Sequence, residues 1–243
     1  LAKLETLFRQ STTIDLSQYS THRIFPSSFI YTETIKCSSC NQMSCSINGD
    51  SSIILEITQD SLASSLQHYF GITDIESTCS HCSRTSRRQL TRQILFPPKS
   101  LLFYINRRRY ANIDAPSLKS FSFPAFIDIE QYCFSYRNSN SPNVFENVPE
   151  PKEDGLLKMS LGGISEAIQD EQSGYQLTSV ISFRGKDNAG HYMCYKIHRE
   201  NEPPYAKRWV CANDNTVTPT TLEEVLNSNQ TALLLHYEIV RHI

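Results

Sequence analysis

Hydrophobic positions along this chain change period several times, and those changes mark out its elements. Leu1, Leu4, Leu7 and Phe8 recur at helical spacing and predict a helix, or the end of one, at the start. A Ser/Thr-rich connection leads to an extended stretch over Phe29–Lys36, and Ile53–Ile57 reads as a strand. Asp60 is expected to N-cap a short helix with Leu62, Leu66 and Tyr69 or Phe70 on its apolar face, closed by Gly71. Between Ile94 and Ile105 an aliphatic and aromatic run is split by Pro97-Pro98. Proline cannot donate to a sheet ladder, so one strand should end at Phe96 and a second, buried one should run from Ser100 to Ile105.

From Ser135 to Gly174 Asn, Ser, Pro, Glu and Asp dominate, which predicts an exposed insertion. Beyond it the strand signal returns over Tyr175–Phe183, His191–Ile197 and Trp209–Ala212, with a turn at Asn213-Asp214-Asn215. Thr221 and Glu224 have capping-box spacing for a short helix, and Ala232–Val240 reads as a last strand. No internal repeat is visible. Strands with short helices predict an α+β fold whose second half is an antiparallel sheet.

Composition narrows the class. With 243 residues, 39% hydrophobic and 20% charged, the chain can bury a substantial core. A net charge of −2 gives no reason to expect a polyanionic partner for the whole chain. No apolar run approaches the roughly 20 residues of a membrane helix. Lys3, Glu5 and Arg9 are incompatible with a secretory signal peptide at the start, and a first residue of Leu1 rather than Met fits a segment of a longer protein. A long chain with ample aliphatic core is unlike a secreted disulfide scaffold, so a reducing compartment, cytoplasm or nucleus, is expected.

Four of the eight cysteines form two short pairs, Cys37-x-x-Cys40 and Cys79-x-x-Cys82. Two intervening residues let a tight turn aim both thiolates at one ion, and two such knuckles complete a tetrahedron. Zn²⁺ in that setting has no open coordination position and is structural. Two disulfides, or four unligated thiols, are the alternatives; paired knuckles favour zinc. Cys45, beside the first knuckle, is given no role.

The other constellation centres on His191. Gly190-His191-Tyr192 opens a strand with an imidazole beside a residue that has no side chain to obstruct it. A later strand ends in Asn213-Asp214, where an amide or carboxylate could accept the imidazole Nδ1–H and leave Nε2 to take a thiol proton. A histidine beside glycine is more often structural, so this pattern alone remains a suggestion.

The wider pattern resembles the ubiquitin-specific proteases. Tyr175-x-Leu177-x-x-Val180, Gly190-His191-Tyr192-x-x-Tyr195, Trp209-x-x-x-Asn213-Asp214-x-x-Val217 and a closing Ala232-x-x-Leu235-x-Tyr237 are similar to that family's histidine box. The two cysteine knuckles, the strand Leu101–Tyr110 and the Phe123–Ile129 segment precede it in the family's order. The resemblance implies a papain-like cysteine-protease fold of α+β class, with zinc-ribbon fingers, an antiparallel palm sheet and a thumb largely outside the chain. It divides the chain into 1–28 (end of the thumb and connection), 29–110 (fingers), 111–134 with 175–243 (palm) and 135–174 (insertion). It implies hydrolysis after the C-terminal glycine of ubiquitin, with ubiquitin and ubiquitinated proteins as partners and no membrane. His191 matches the general base, Asn213 the group orienting it and Asp214 a supporting acid; Cys37, Cys40, Cys79 and Cys82 match the Zn²⁺ ligands.

Two departures stand out. No cysteine sits at a helix start with the family's oxyanion donor before it, so the nucleophile is expected upstream of Leu1. Phe183 stands where the family usually has a histidine. A catalytically inactive ubiquitin-binding relative is the alternative to a missing nucleophile, disfavoured because binding alone needs neither His191 nor Asn213. A third reading is a nucleic-acid module: Ser77–Ile113 has no acidic residue but carries Arg84, Arg87, Arg88, Arg92, Lys99, Arg107, Arg108 and Arg109. It leaves the order of the later motifs unexplained.

Overall fold

The computed structural model describes residues 27, 29–57, 59–107, 119–133, 174–186, 189–198 and 208–240. The helix expected over Leu1–Phe8 and nearly all of the 135–174 insertion lie outside them. Among the described residues, twelve strands form two sheets. The smaller has order β2-β1-β5-β4, from β1 (Phe29–Cys37), β2 (Met43–Asp50), β4 (Thr73–Thr78) and β5 (Thr85–Phe96). The eight-stranded one has order β11-β10-β9-β8-β12-β6-β3, with β7 paired to β8. Its strands are β3 (Ile53–Glu56), β6 (Ser100–Asn106), β7 (Phe126–Asp128), β8 (Gly174–Lys186), β9 (Ala189–His198), β10 (Arg208–Asn213), β11 (Thr216–Thr220) and β12 (Ala232–Val240).

The two sheets alternate along the chain. After β1 and β2 the chain enters the large sheet as β3, leaves through helix α1 (Leu62–Phe70) for β4 and β5, and returns at Pro97-Pro98 as β6. Phe29, Leu62, Leu101, Phe103, Leu177, Leu235 and Tyr237 share one core. Its buried tyrosines keep their hydroxyls paired: Tyr175 donates to Pro98 O at 2.6 Å and Tyr237 to Pro124 O at 2.7 Å. Buried Arg107, just past β6, donates to the carbonyls of Ala232 (2.7 Å), Lys119 (2.7 Å) and Asn229 (2.6 Å). Burial lowers its pKa to about 10.

Two local expectations are corrected. Ser61, not Asp60, caps α1: its extended backbone turns the hydroxyl to accept from Ser64 N at 3.2 Å. The Asp60 carbonyl instead accepts from Ser122 N at 2.8 Å, pinning the 119–124 segment to the start of the helix. Gly71 closes the helix as expected, with φ −68°, and a Cβ there would stand 2.5 Å from Gln67 O. The large sheet is antiparallel except at its edge, where β3 runs parallel to β6 because α1 and the smaller sheet intervene. The expected capping box is present at α2 (Leu222–Leu226), with Thr221 and Glu224 bonded reciprocally.

Candidate functional site

Two turns of one geometry assemble the cysteines. In the first, Cys37 N donates to Gln42 O and Asn41 N to Cys37 O, both at 2.9 Å. In the second, Cys79 N donates to Arg84 O at 3.0 Å and Ser83 N to Cys79 O at 2.8 Å. Asn41 (φ 58°) and Ser83 (φ 55°), each directly after the second cysteine of its pair, take the left-handed conformation that reverses the chain. The four Sγ atoms lie within 4.8 Å of one another, with Cys37–Cys82 at 3.9 Å and Cys40–Cys79 at 3.8 Å. Thiolates on a tetrahedral ion with bonds of about 2.3 Å stand about 3.8 Å apart, so the cluster has the dimensions to hold a metal ion. Backbone N–H groups of Cys40 and then Ser39 lower the Cys37 thiol to about 6.

His191 lies at the open end of the large sheet, where the β8–β9 hairpin pairs Arg184 with His191 and Gly185 with Gly190. Its Nε2 is hydrogen-bonded to Asn213 Oδ1 at the end of β10, and its Nδ1 lies 3.8 Å from Asp214 Oδ2. The nitrogens are thus exchanged relative to the sequence expectation. An amide oxygen only accepts, so this contact places a proton on Nε2. The imidazole is 43% exposed, so Nδ1 is within reach of an incoming group. Asp214, with φ 49°, opens the two-residue turn joining β10 to β11, and Asp tolerates that conformation better than most residues.

Phe183 lies against the glycine. A Cβ on Gly190 would stand 2.1 Å from its ring, and the ring packs against Tyr192 at 4.8 Å between centroids. The aromatic thus fills the space over the residue before His191, a relation invisible without the register. Three of the remaining thiols are held away from the thiolate form. Burial raises Cys45 and Cys194, and pushes Cys133 to about 12. The acid-free basic run finds its acids on other strands: Arg87 pairs with Asp74 at 2.5 Å and Arg92 with Glu33 at 2.7 Å. Arg92 also stacks over the Tyr69 ring at 4.7 Å, whereas Arg108 and Arg109 lie outside the described residues.

The chain thus combines an α+β fold, a His191–Asn213 contact at the end of its larger sheet and a four-cysteine cluster in its smaller one. The family profile "Ubiquitin carboxyl-terminal hydrolase" matches residues 2–237, and the chain belongs to this family, in its ubiquitin-specific protease branch. It is 24% identical over 220 residues to probable ubiquitin carboxyl-terminal hydrolase 8 of Schizosaccharomyces pombe, covering 89% of this chain and 38% of that protein. Hydrolase 11 of the same yeast is 32% identical over 81 residues, 33% of this chain and 21% of that one. Among solved structures, the SAGA Ubp8/Sgf11/Sus1/Sgf73 DUB module bound to ubiquitin aldehyde superposes with a TM-score of 0.62 at 18% identity. That match covers 89% of this chain and 42% of the other. A yeast SAGA DUB module with a mutant Sgf73 gives 0.64 at 18% identity, over 95% and 47%. The chain therefore spans less than half the length of each. Among the described residues no helix is long and apolar enough to cross a membrane.

Proposed function

We propose that this chain provides the general base and the substrate-holding framework of a ubiquitin-specific cysteine protease, one that cleaves the peptide or isopeptide bond after ubiquitin's C-terminal glycine. The observation that carries this reading is the His191–Asn213 hydrogen bond at the strand ends, in a chain of that family. With Nε2–H held by Asn213, Nδ1 takes the proton of the attacking thiol, and Asp214 offsets the imidazolium charge. The thiolate then adds to the glycine carbonyl, the leaving amine takes the proton back from Nδ1, and water hydrolyses the thioester. The nucleophilic cysteine lies outside these 243 residues: four thiols belong to the cluster, Cys45, Cys133 and Cys194 are shifted away from the thiolate form, and Cys211 sits inside strand β10 rather than at a helix start.

In this reading the smaller sheet forms the fingers and the larger the palm, with β3 and β6 of the 29–110 segment built into the palm. The cysteine cluster holds structural Zn²⁺, which on loading would fix the two knuckles to each other. Partners are ubiquitin and ubiquitinated proteins, in cytoplasm or nucleus. The distribution of thiols favours one other reading, a relative that binds ubiquitin without cleaving it. In the full-length protein, His191→Ala should lower turnover of a fluorogenic ubiquitin amide by about 10²- to 10⁴-fold while leaving ubiquitin affinity unchanged. A full-length protein with no turnover at all, yet with ubiquitin affinity, supports the second reading instead.

A further inference from the structure

Arg88 is a buried cation with no carboxylate partner among the described residues. It faces Cys37 across the β5–β1 pair, so its side chain leaves the sheet on the same face as that ligand. Toward β4 its guanidinium donates to Ser77 Oγ at 3.2 Å and to Thr78 O at 3.1 Å, and Thr78 directly precedes Cys79. The charge thus spans the strands that lead to the two cysteine pairs. Ser86, two residues earlier on the same face, has its Oγ 3.8 Å from Cys37 Sγ.

Arg88 is only 8% exposed, has no carboxylate partner among the described residues, and its Nε has no acceptor. Neighbouring Arg87 and Arg92 each have a carboxylate and are more exposed. Burying an unpaired charge is costly, so some anion is expected nearby. Four thiolates around a divalent ion carry a net charge of −2.

We propose that Arg88 is the charge-balancing residue of the four-cysteine site, tying metal loading to the pairing of β1, β5 and β4. The proposal rests on the metal reading above and deepens it. The test titrates Zn²⁺ against a chromophoric chelator in the wild-type chain, Arg88→Gln and Arg88→Lys, and melts each with and without metal. Arg88→Gln should bind Zn²⁺ about 10- to 100-fold more weakly, the usual range for removing a residue that supports metal ligands. Arg88→Lys should stay near wild type, and the metal-free melting points should differ less than the loaded ones.

Unchanged Zn²⁺ affinity in Arg88→Gln, with both forms equally destabilised, overturns the proposal and leaves Arg88 a strand-pairing residue. So does an Arg88→Lys as weak as Arg88→Gln, since charge would then not be what matters. Arg88→Lys alone decides between charge and hydrogen-bond geometry where Arg88→Gln does not fold. A wild-type chain that takes up no Zn²⁺ has a different signature: it overturns the metal reading, and this proposal with it.

Discussion

Gly190 and Asp214 hold the His191 site from its two sides by backbone means. Alanine at 190 would put a Cβ 2.1 Å from the Phe183 ring and 2.9 Å from Arg184 O, and the second contact is with backbone. Gly190→Ala should therefore lower stability by about 1–3 kcal/mol, read as a shift in urea midpoint at constant slope. His236 offers a pH handle. Its Nδ1 lies 2.9 Å from Thr178 Oγ1, and burial lowers its pKa below the ordinary value. The folded state then binds fewer protons than the unfolded one, so this stabilisation is present above about pH 6.5 and is lost as pH falls through the folded pKa. His236→Gln should flatten that part of the stability–pH curve; an identical curve contradicts it. At this scale the sequence names His191, Asn213 and Asp214, because the Gly-His and Asn-Asp motifs are local. It does not tell which imidazole nitrogen faces Asn213, because that depends on side-chain torsion and on how β9 and β10 end beside each other.

Among the elements, those with an apolar stripe were legible and those without were not. Ser100–Asn106 runs one residue past the expected Ser100–Ile105, Ala232–Val240 matches its expected span, and both mix buried with partly exposed positions. Met43–Asp50, Thr73–Thr78 and Thr216–Thr220 are edge strands rich in polar residues, so hydrophobic period gives no signal there; each is pinned by its single neighbour. Asp60 and Ser61 are both good caps by residue type, and it is the Ser61 hydroxyl that accepts from Ser64 N while the Asp60 carbonyl is held by Ser122 N. Arg107 binds elements distant in sequence through three carbonyls. Arg107→Ala leaves those acceptors without their charged donor and should cost at least about 3 kcal/mol of unfolding free energy. Chelation should loosen β1, β4 and β5 before β8 and β12, because the cluster joins the ends of the smaller sheet; hydrogen exchange reads that order directly.

The whole molecule combines a large sheet that ends in a histidine–asparagine contact with a smaller sheet that ends in a thiol cluster. Family membership was readable from motif order, since several short motifs in one sequence of appearance are specific even where each is weak. The interleaving of the two sheets was not, because β3 and β6 are separated from their partners by long stretches of chain. The 243-residue chain alone should give no turnover of fluorogenic ubiquitin, because the proposed reaction needs a thiol it does not contain. The most direct test labels the full-length protein with a thiol-reactive ubiquitin probe and maps the modified cysteine by mass spectrometry. The account predicts one label, on a cysteine outside these 243 residues, formed far more slowly in His191→Ala. A label on Cys45, Cys133, Cys194 or Cys211, lost when that residue is replaced by serine, would contradict it.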